Sequence, residues 1–369
     1  MKLGIPKEQG DGRVAIVPAT IPKLKDLGLD VLIEADAGLG AMFTDADYTA
    51  QGAQIATLEA LLKESDIFLS VNPLPEGTMQ AMQPQTLVIS LFQPYMDDTI
   101  TDKLRGWNLR GCSFDMIPRT TLAQSMDVLS SMASVAGYRA VLEAARHLPR
   151  YFPMMITAAG SIPPSKVLVL GAGVAGLQAI ATARRLGAMV EAFDTRAAAK
   201  EEVESLGAKF VEVPGAKDEK SAGGYAVEQS EDFLRRQREE VQIRAAKADI
   251  IITTAQVRGR KAPILVPKET IEKMKRGSVI VDLAASTGGN CELTQNDQVI
   301  QHNGVTIIGN SNLAGLMPQD SSMLFSNNAL NFLKVIVQKG ELNLDMNNEI
   351  VRGAYFTTTP AEQPAAKGE

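Results

Sequence analysis

Short apolar runs rich in β-branched residues recur along the chain, separated by stretches in which apolar positions return every three or four residues. The runs Leu3 to Pro6, Val31 to Glu34, Ile67 to Val71, Leu87 to Leu91 and Gly111 to Phe114 suit strands buried on both faces. Between them the spacing predicts helices over Pro22 to Leu27, over Leu58 to Lys63 with Thr57 as N-cap, and over Thr101 to Trp107. The alternation resumes with strands at Val167 to Leu170, Met189 to Phe193, Lys209 to Val213, Ile250 to Thr253, Val279 to Asp282 and Val305 to Ile308. Helices are expected over Ala197 to Leu206 and, strongly apolar, over Ser321 to Gln338. Strands alternating with helices at these lengths mean parallel sheets covered on both faces. The expected class is α/β, with two doubly wound, Rossmann-like domains joined by long crossing helices.

A length of 369 residues is enough for two such domains. Residues 1–127, completed by 319–369, are expected to form the first, and residues 128–318 the second. The second holds the stretch Lys166 to Arg196, KVLVLGAGVAGLQAIATARRLGAMVEAFDTR. Its apolar strand runs into Gly171, Gly173 and Gly176, followed by a helix, a second strand and Asp194. The pattern G-A-G-V-A-G allows a tight turn at Gly171, close approach of a pyrophosphate at Gly173, and close helix-on-strand packing at Gly176. The helix after it aims free N–H groups at that phosphate. A carboxylate at Asp194 accepts hydrogen bonds from an adenosine ribose and repels a 2′-phosphate, so it favours NAD(H) over NADP(H). Arg196 is the one nearby group that would favour the phosphate. The bland alternative is a glycine-rich βα turn holding no ligand.

Two other segments break the regular pattern. Arg119 to Ser130 concentrates Arg119, Gln124, Ser125, Asp127 and Ser130 ahead of a long helix expected to begin near Met126 and to cross to the second domain. From the residues alone it is either a solvated loop with an N-capped helix or a nicotinamide contact where two domains meet. Residues 214–243 form a polar insert with Gly223 and Gly224 beside Tyr225, then a charged helical stretch; it reads either as a mobile flap over a site or as a surface loop. Thr254-Ala255-Gln256 and Ala284 to Gly289 follow strand ends, where the ligand crevice of an open α/β sheet lies.

Composition narrows the partners. With 45% hydrophobic and 22% charged residues and a net charge of −6, the chain has an ordinary globular makeup and no basic surface for nucleic acid. The opening MKLGIPKEQGDGR has no apolar core of a secretory signal, and the apolar stretch Val167 to Ala183 is explained by its glycine spacing rather than by membrane insertion. Cys112 and Cys291 are too few and too far apart for a disulfide framework or a zinc site, and read as buried, reduced residues of a cytoplasmic protein. His147 and His302, the only histidines, read as structural, and no metal site is expected.

GAGVAGLQAIATARRLGA with AFDTR, RTTLAQSMDVLSSMASVAGYRA, SAGGYA and GSVIVDLAASTGGNCE together resemble the NAD(H)-binding component of the proton-translocating NAD(P) transhydrogenase family, over nearly the whole chain. The resemblance implies a homodimer on the cytoplasmic face of the inner membrane, not itself inserted, that passes hydride from NADH to NADP bound on a partner. Partner subunits would supply the NADP(H) site and the membrane spans. It also implies that Arg119, Thr120, Thr121 and Leu122 line the nicotinamide side and that Gln124 reaches toward the ring. Asp127 and Ser130 would organise that loop, with Asp127 paired to Arg119; the four polar residues Arg119, Gln124, Asp127 and Ser130 are the candidates closest to the chemistry. Val174 would pack under the cofactor, and Asp194, Thr195 and Arg196 would hold the adenosine ribose. Gly224 and Tyr225 belong to the family's closing loop, with Gln237, Ala255 and Gln256 nearby. The segment Asn310 to Gly315, and Gln256 in place of an apolar residue, depart from the family's usual pattern.

Alanine dehydrogenase shares the superfamily and the arginine at Arg13. Oxidation of an amino acid needs a carboxylate anchor and a general acid/base. Here VNPLP stands in place of the lysine motif, Gln93 in place of the histidine and Ser286 in place of the aspartate. Arg13 then reads as a fold-supporting residue. Hydride transfer between two nicotinamides needs neither acid/base nor metal, only two rings held in contact with water excluded. The remaining alternatives are an alanine-dehydrogenase-like enzyme and a non-catalytic NAD(H)-binding regulatory module.

Overall fold

The computed structural model describes residues 1–213, 231–256 and 258–358. The chain forms two compact units, Met1–Met132 with Ala314–Glu369, and Ala133–Leu313.

In the first unit the strands β1 (Lys2–Ile5), β2 (Asp30–Glu34), β3 (Gln54–Ala56), β4 (Ile67–Leu69), β5 (Leu87–Ser90) and β6 (Arg110–Ser113) form one sheet in the order β3-β2-β1-β4-β5-β6. Every pairing in it is parallel. One apolar layer is closed by the late helix Pro318–Ile336, whose Phe325 and Phe332 rings meet Phe114 at centroid distances of 5.2 and 5.6 Å. Burying each such ring is worth about 1.5–3 kcal/mol. Serines on the same helix accept backbone hydrogens from the early loop, Val14 N–H to Ser322 Oγ at 2.9 Å and Val17 N–H to Ser326 Oγ at 3.1 Å. These bonds tie the two ends of the chain into one core.

In the second unit a small hairpin of β7 (Met155–Thr157) and β8 (Gly160–Ile162) precedes the main sheet. That sheet contains β9 (Lys166–Leu170), β10 (Met189–Phe193), β11 (Lys209–Phe210), β12 (Ile250–Thr253), β13 (Val279–Asp282), β14 (Val299–His302) and β15 (Val305–Ile308), in the order β11-β10-β9-β12-β13-β15-β14. The apolar runs of β9, β12 and β13 are buried on both faces, with Val167 and Val169 in one layer and Leu168 and Leu170 in the other. The strand order reverses at β9, between β10 and β12, and a ligand crevice lies at such a switch point.

Two expectations need correction and one holds. The second sheet is not wholly parallel, because β14 pairs antiparallel with β15 through a turn with positive φ at Asn303 and Gly304. The long helix does begin near Met126: a 3-10 turn covers Thr121–Met126 and the α-helix is Val128–His147. The apolar helix stops at Ile336, after which β16 (Val337–Gln338) and β17 (Glu341–Leu342) form a hairpin. His147 closes its helix and His302 ends an edge strand. Both cysteines are buried free thiols; burial pushes both upward, Cys291 to about 11.

Candidate functional site

At the end of β9 the three glycines of the fingerprint carry three different constraints. Gly171 has φ +103, and a Cβ there would stand 2.5 Å from Thr254 Oγ1. A Cβ on Gly176 would stand 1.9 Å from the carbonyl oxygen of Gly171, so the helix reaches the strand end only without a side chain. Around Gly173 a Cβ would meet nothing within 4 Å. Its missing side chain therefore leaves open space in front of the turn, as the fingerprint's pyrophosphate position requires. Gly173 is the N-cap of the helix Val174–Arg185 and offers no side chain to cap it. The first-turn N–H groups are left for an anion, reinforced by the positive end of the helix dipole. Val174 is 44% exposed beside this opening.

On one side of the turn, register sets the acid. Leu170 pairs with Phe193, so Asp194 emerges beside Gly171. Its Oδ2 accepts the Ala172 N–H at 2.7 Å and its Oδ1 the Arg196 N–H at 2.8 Å. The Arg196 guanidinium donates to both oxygens, Nε at 3.0 Å and Nη2 at 3.2 Å, and to Ala172 O at 3.2 Å. Burial pushes this carboxyl upward, but the bonds from Arg196 and Ala172 outweigh it and hold it below the usual range. An ionised carboxylate thus lies against the glycine turn, and the arginine that would attract a 2′-phosphate is already engaged by it. Thr195, between them, is exposed.

The first unit repeats this strand-tip device without the glycines. Ile5 pairs with Ile33, so Glu34 stands at the same register as Asp194, and its Oε2 accepts the Lys7 N–H at 2.7 Å. No helix starts at the turn after β1, where the next element is the 3-10 turn Pro18–Thr20, so the anion-binding half of the motif is missing there.

On the other side of the glycine turn, Thr254 Oγ1 donates to Gly171 O at 3.0 Å. Ala255 is gripped by Asn290, with Ala255 N–H to Oδ1 at 3.0 Å and Nδ2–H to Ala255 O at 2.8 Å. Gln256 donates to Leu283 O at 2.9 Å. Asn290 and Asp282 were not singled out from the sequence. The available signal was a buried strand ending on a carboxylate, followed by Gly-Gly-Asn. Gln237 is half-buried on the helix Glu231–Ala245, while Gly224 and Tyr225 lie outside the described residues.

The Arg119 to Ser130 segment belongs to the first unit. Its 3-10 turn buries Ala123 and Met126 and leaves Arg119, Thr121, Leu122, Gln124 and Ser125 exposed. Leu122 is 77% exposed. Thr120 Oγ1 donates to Glu349 at 3.2 Å, and Ser125 O accepts from Asn328 at 2.8 Å and Asn331 at 3.2 Å. The expected Arg119–Asp127 ion pair is not formed. Asp127 instead caps the helix Val128–His147, accepting the Ser130 N–H at 2.9 Å and the Ser130 hydroxyl at 2.6 Å. A local cap three residues away wins over a pair with a solvated arginine. Among the described residues Arg119 makes no ion pair.

The positions that matter for amino-acid chemistry are also visible in the first unit. Arg13 is paired with Asp11 at 2.6 Å, both nearly buried, and Asp11 also accepts from Asn72 at 3.1 Å. Asn72 donates in turn to Glu8 at 3.0 Å. Burial raises the Glu8 carboxyl; for Asp11 burial is outweighed by Arg13, which holds it down at about 2. Arg13 is thus internally neutralised. Gln93 has φ +51 and donates its N–H to Asp115 at 3.2 Å. In the second unit Ser286 is exposed on a 3-10 turn. Val71 to Pro75, Gln93 and Ser286 thus offer no lysine, histidine or aspartate for proton transfer.

Comparison with known proteins agrees with this construction. The family described as "Alanine dehydrogenase/PNT, N-terminal domain" matches residues 4–136, and "Alanine dehydrogenase/PNT, C-terminal domain" matches residues 140–360. The chain is 44% identical over 382 aligned positions to an NAD(P) transhydrogenase alpha-subunit chain of Rhodospirillum rubrum, covering 100% of both. It superposes on a crystal structure of transhydrogenase from Sinorhizobium meliloti with a TM-score of 0.89 and 42% identity, covering 97% of this chain and 98% of that one. An L-alanine dehydrogenase structure matches with a TM-score of 0.78 and 27% identity, over 96% of this chain and 94% of that one. Two family domains in order and a full-length alignment at this identity make the chain a member of the alanine dehydrogenase/PNT family, on its NAD(P) transhydrogenase alpha-subunit branch.

Proposed function

We propose that this chain is the NAD(H)-binding subunit of a proton-translocating NAD(P) transhydrogenase, presenting NADH for direct hydride transfer to NADP+ held on a partner subunit. The observation that carries the reading is the Asp194 carboxylate fastened to Ala172 of the glycine turn at 2.7 Å. It selects an unphosphorylated ribose beside a ready anion site. The chain binds NAD(H). Gly171, Gly173, Gly176 and Val174 receive the pyrophosphate, Asp194, Thr195 and Arg196 the adenosine ribose, and Ala255 and Gln256 flank the other half. When bound, NADH supplies a hydride from its nicotinamide ring. Arg119, Thr120, Thr121, Leu122 and Gln124 are assigned to orienting that ring toward the partner's and keeping water out, with Asp127 and Ser130 holding the segment's shape. Gly224, Tyr225 and Gln237 are assigned to the loop that closes over the cofactor.

The missing acid/base groups support this reading over amino-acid oxidation. The segment Val71 to Pro75, Gln93 and Ser286 offer no group to accept the substrate's proton, and Arg13 is occupied by Asp11. Among the described residues no helix is long and apolar enough to cross a membrane. The naming of the Rhodospirillum rubrum relative as an alpha subunit supports assigning the proton path, the NADP(H) site and attachment to the cytoplasmic membrane face to partner subunits; the chain itself is assigned to a homodimer. Mixing the purified chain with the NADP(H)-binding component should give NADH-dependent reduction of an NADP analogue. Absence of transfer with both proteins folded, or oxidation of NADH by pyruvate and ammonium with this chain alone, would overturn the proposal.

A further inference from the structure

The strand β13 ends on Asp282, and the chain then turns through Gly288, φ +99, and Gly289, φ +81, to come back on the same carboxylate. Asn290 N–H at 2.8 Å, Cys291 N–H at 2.9 Å and Thr294 Oγ1 at 2.6 Å all donate to Asp282 Oδ2. Thr253 Oγ1 at 2.9 Å and Ala284 N–H at 3.0 Å donate to Oδ1. A Cβ on Gly289 would stand 2.8 Å from Oδ2, so this return path requires glycine. Asp282 and Asn290 are both fully buried. The fixed Asn290 then spends its whole amide on neighbouring backbone. Oδ1 accepts from Ala255 N–H, and Nδ2 donates to Ala255 O and, at 2.8 Å, to Pro263 O. A buried side chain satisfied in this way sets backbone position, because any displacement leaves a desolvated polar group unpaired.

The location gives this clamp its purpose. In the sheet order, β10 with Asp194 lies on one side of β9 and β12 with Ala255 on the other. A dinucleotide whose pyrophosphate sits on the β9 turn and whose adenosine ribose meets Asp194 must lay its nicotinamide half over the end of β12. We infer that Asn290, locked by Asp282, is a positioning residue for the nicotinamide half of the cofactor. It acts through the Ala255–Gln256 backbone without touching the ligand. The inference rests on the NAD(H) reading above.

A selective loss separates this role from a merely structural one. For Asn290→Ala in the full chain, NADH affinity should fall about tenfold, the scale of one or two lost buried hydrogen bonds. Affinity for ADP, which has only the adenosine and pyrophosphate, should stay within about twofold. Equal weakening of both ligands, or no change in either, would overturn the inference. If Asn290→Ala does not fold, Thr294→Val loosens the same clamp more mildly, since it removes only the hydroxyl bond to Asp282 Oδ2. There again a loss confined to NADH supports the inference, and an equal or absent loss defeats it. Should the unsubstituted chain bind ADP but not NADH, or neither, the NAD(H) reading itself would fall, a result distinct from any outcome with the variants.

Discussion

The carbonyl oxygen of Gly171 lies 1.9 Å from where a Cβ on Gly176 would stand, whereas the same construction at Gly173 meets no atom within 4 Å. The two glycines of one motif therefore serve different ends. Gly176→Ala forces the helix off the strand and should cost about 3 kcal/mol, at the upper end of overpacking penalties. Gly173→Ala is sterically free in the protein, with φ −76, and should leave the thermal midpoint unchanged while its methyl blocks the pyrophosphate. Thermal melts together with NADH titration distinguish the two. Equal destabilisation by both would show that the open space at Gly173 is not a ligand cradle.

Asp194 and Arg196 make the next prediction. The carboxylate keeps the guanidinium engaged through bonds of 3.0 and 3.2 Å. Asp194→Asn keeps the shape but removes the charge that repels a 2′-phosphate, and it frees Arg196 to attract one. The preference for NADH over NADPH should narrow at least about tenfold, or about 1.4 kcal/mol. Dissociation constants for the two cofactors, measured side by side, check it; an unchanged ratio would remove Asp194 as the discriminator.

Apolar runs revealed the strands of both sheets because their residues are buried on two faces, and the glycine turn was legible because its spacing is itself the constraint. Strands β3 and β14 escaped for the opposite reason. Neither contains a fully buried residue, so neither carries a continuous buried run at its sheet edge. The Arg119–Asp127 pair was misjudged because charge complementarity is visible in a sequence while the competing cap by Ser130 depends on where the helix starts. Asp282 and Asn290 stayed hidden for a related reason. Their donors come from Thr253 on another strand and from a return turn whose path depends on Gly288 and Gly289.

Acid should unfold the first unit partly through Asp11. Its carboxyl drops from 3.8 to about 2 because Arg13 outweighs the effect of burial. A depressed carboxyl contributes stability that is present above the unfolded value, 3.8, and lost as pH falls through the folded value near 2. The contribution is about 2 kcal/mol. Glu8, raised by burial, acts in the opposite sense, its contribution fading as pH rises through its folded value. Unfolding free energies from urea titration of the parent and Asp11→Asn should therefore differ most near neutral pH and converge by about 2 kcal/mol toward pH 2. A gap independent of pH would mean that the Arg13 pair contributes through packing alone.

Support for the glycine turn also comes from behind it. Gly137, on the helix Val128–His147, faces the first turn of the helix Val174–Arg185, and a Cβ there would stand 2.1 Å from Ala175 O. Ala175 O cannot retreat alone, because it belongs to the first helical turn, whose N–H groups are proposed to meet the pyrophosphate. Gly137→Ala should therefore lower the thermal midpoint and weaken both NADH and ADP, since the displaced element serves the shared pyrophosphate. Gly106, at the end of the helix Thr99–Gly106, is the control: a Cβ there meets nothing within 4 Å. Gly106→Ala should stabilise the chain by about 0.5 kcal/mol through the lost freedom of the unfolded state. Its NADH affinity should not change. If Gly137→Ala lowered the midpoint and left ADP binding intact, the close helix contact would matter for packing and not for the anion site, and the rigidity assigned to that first turn would be wrong.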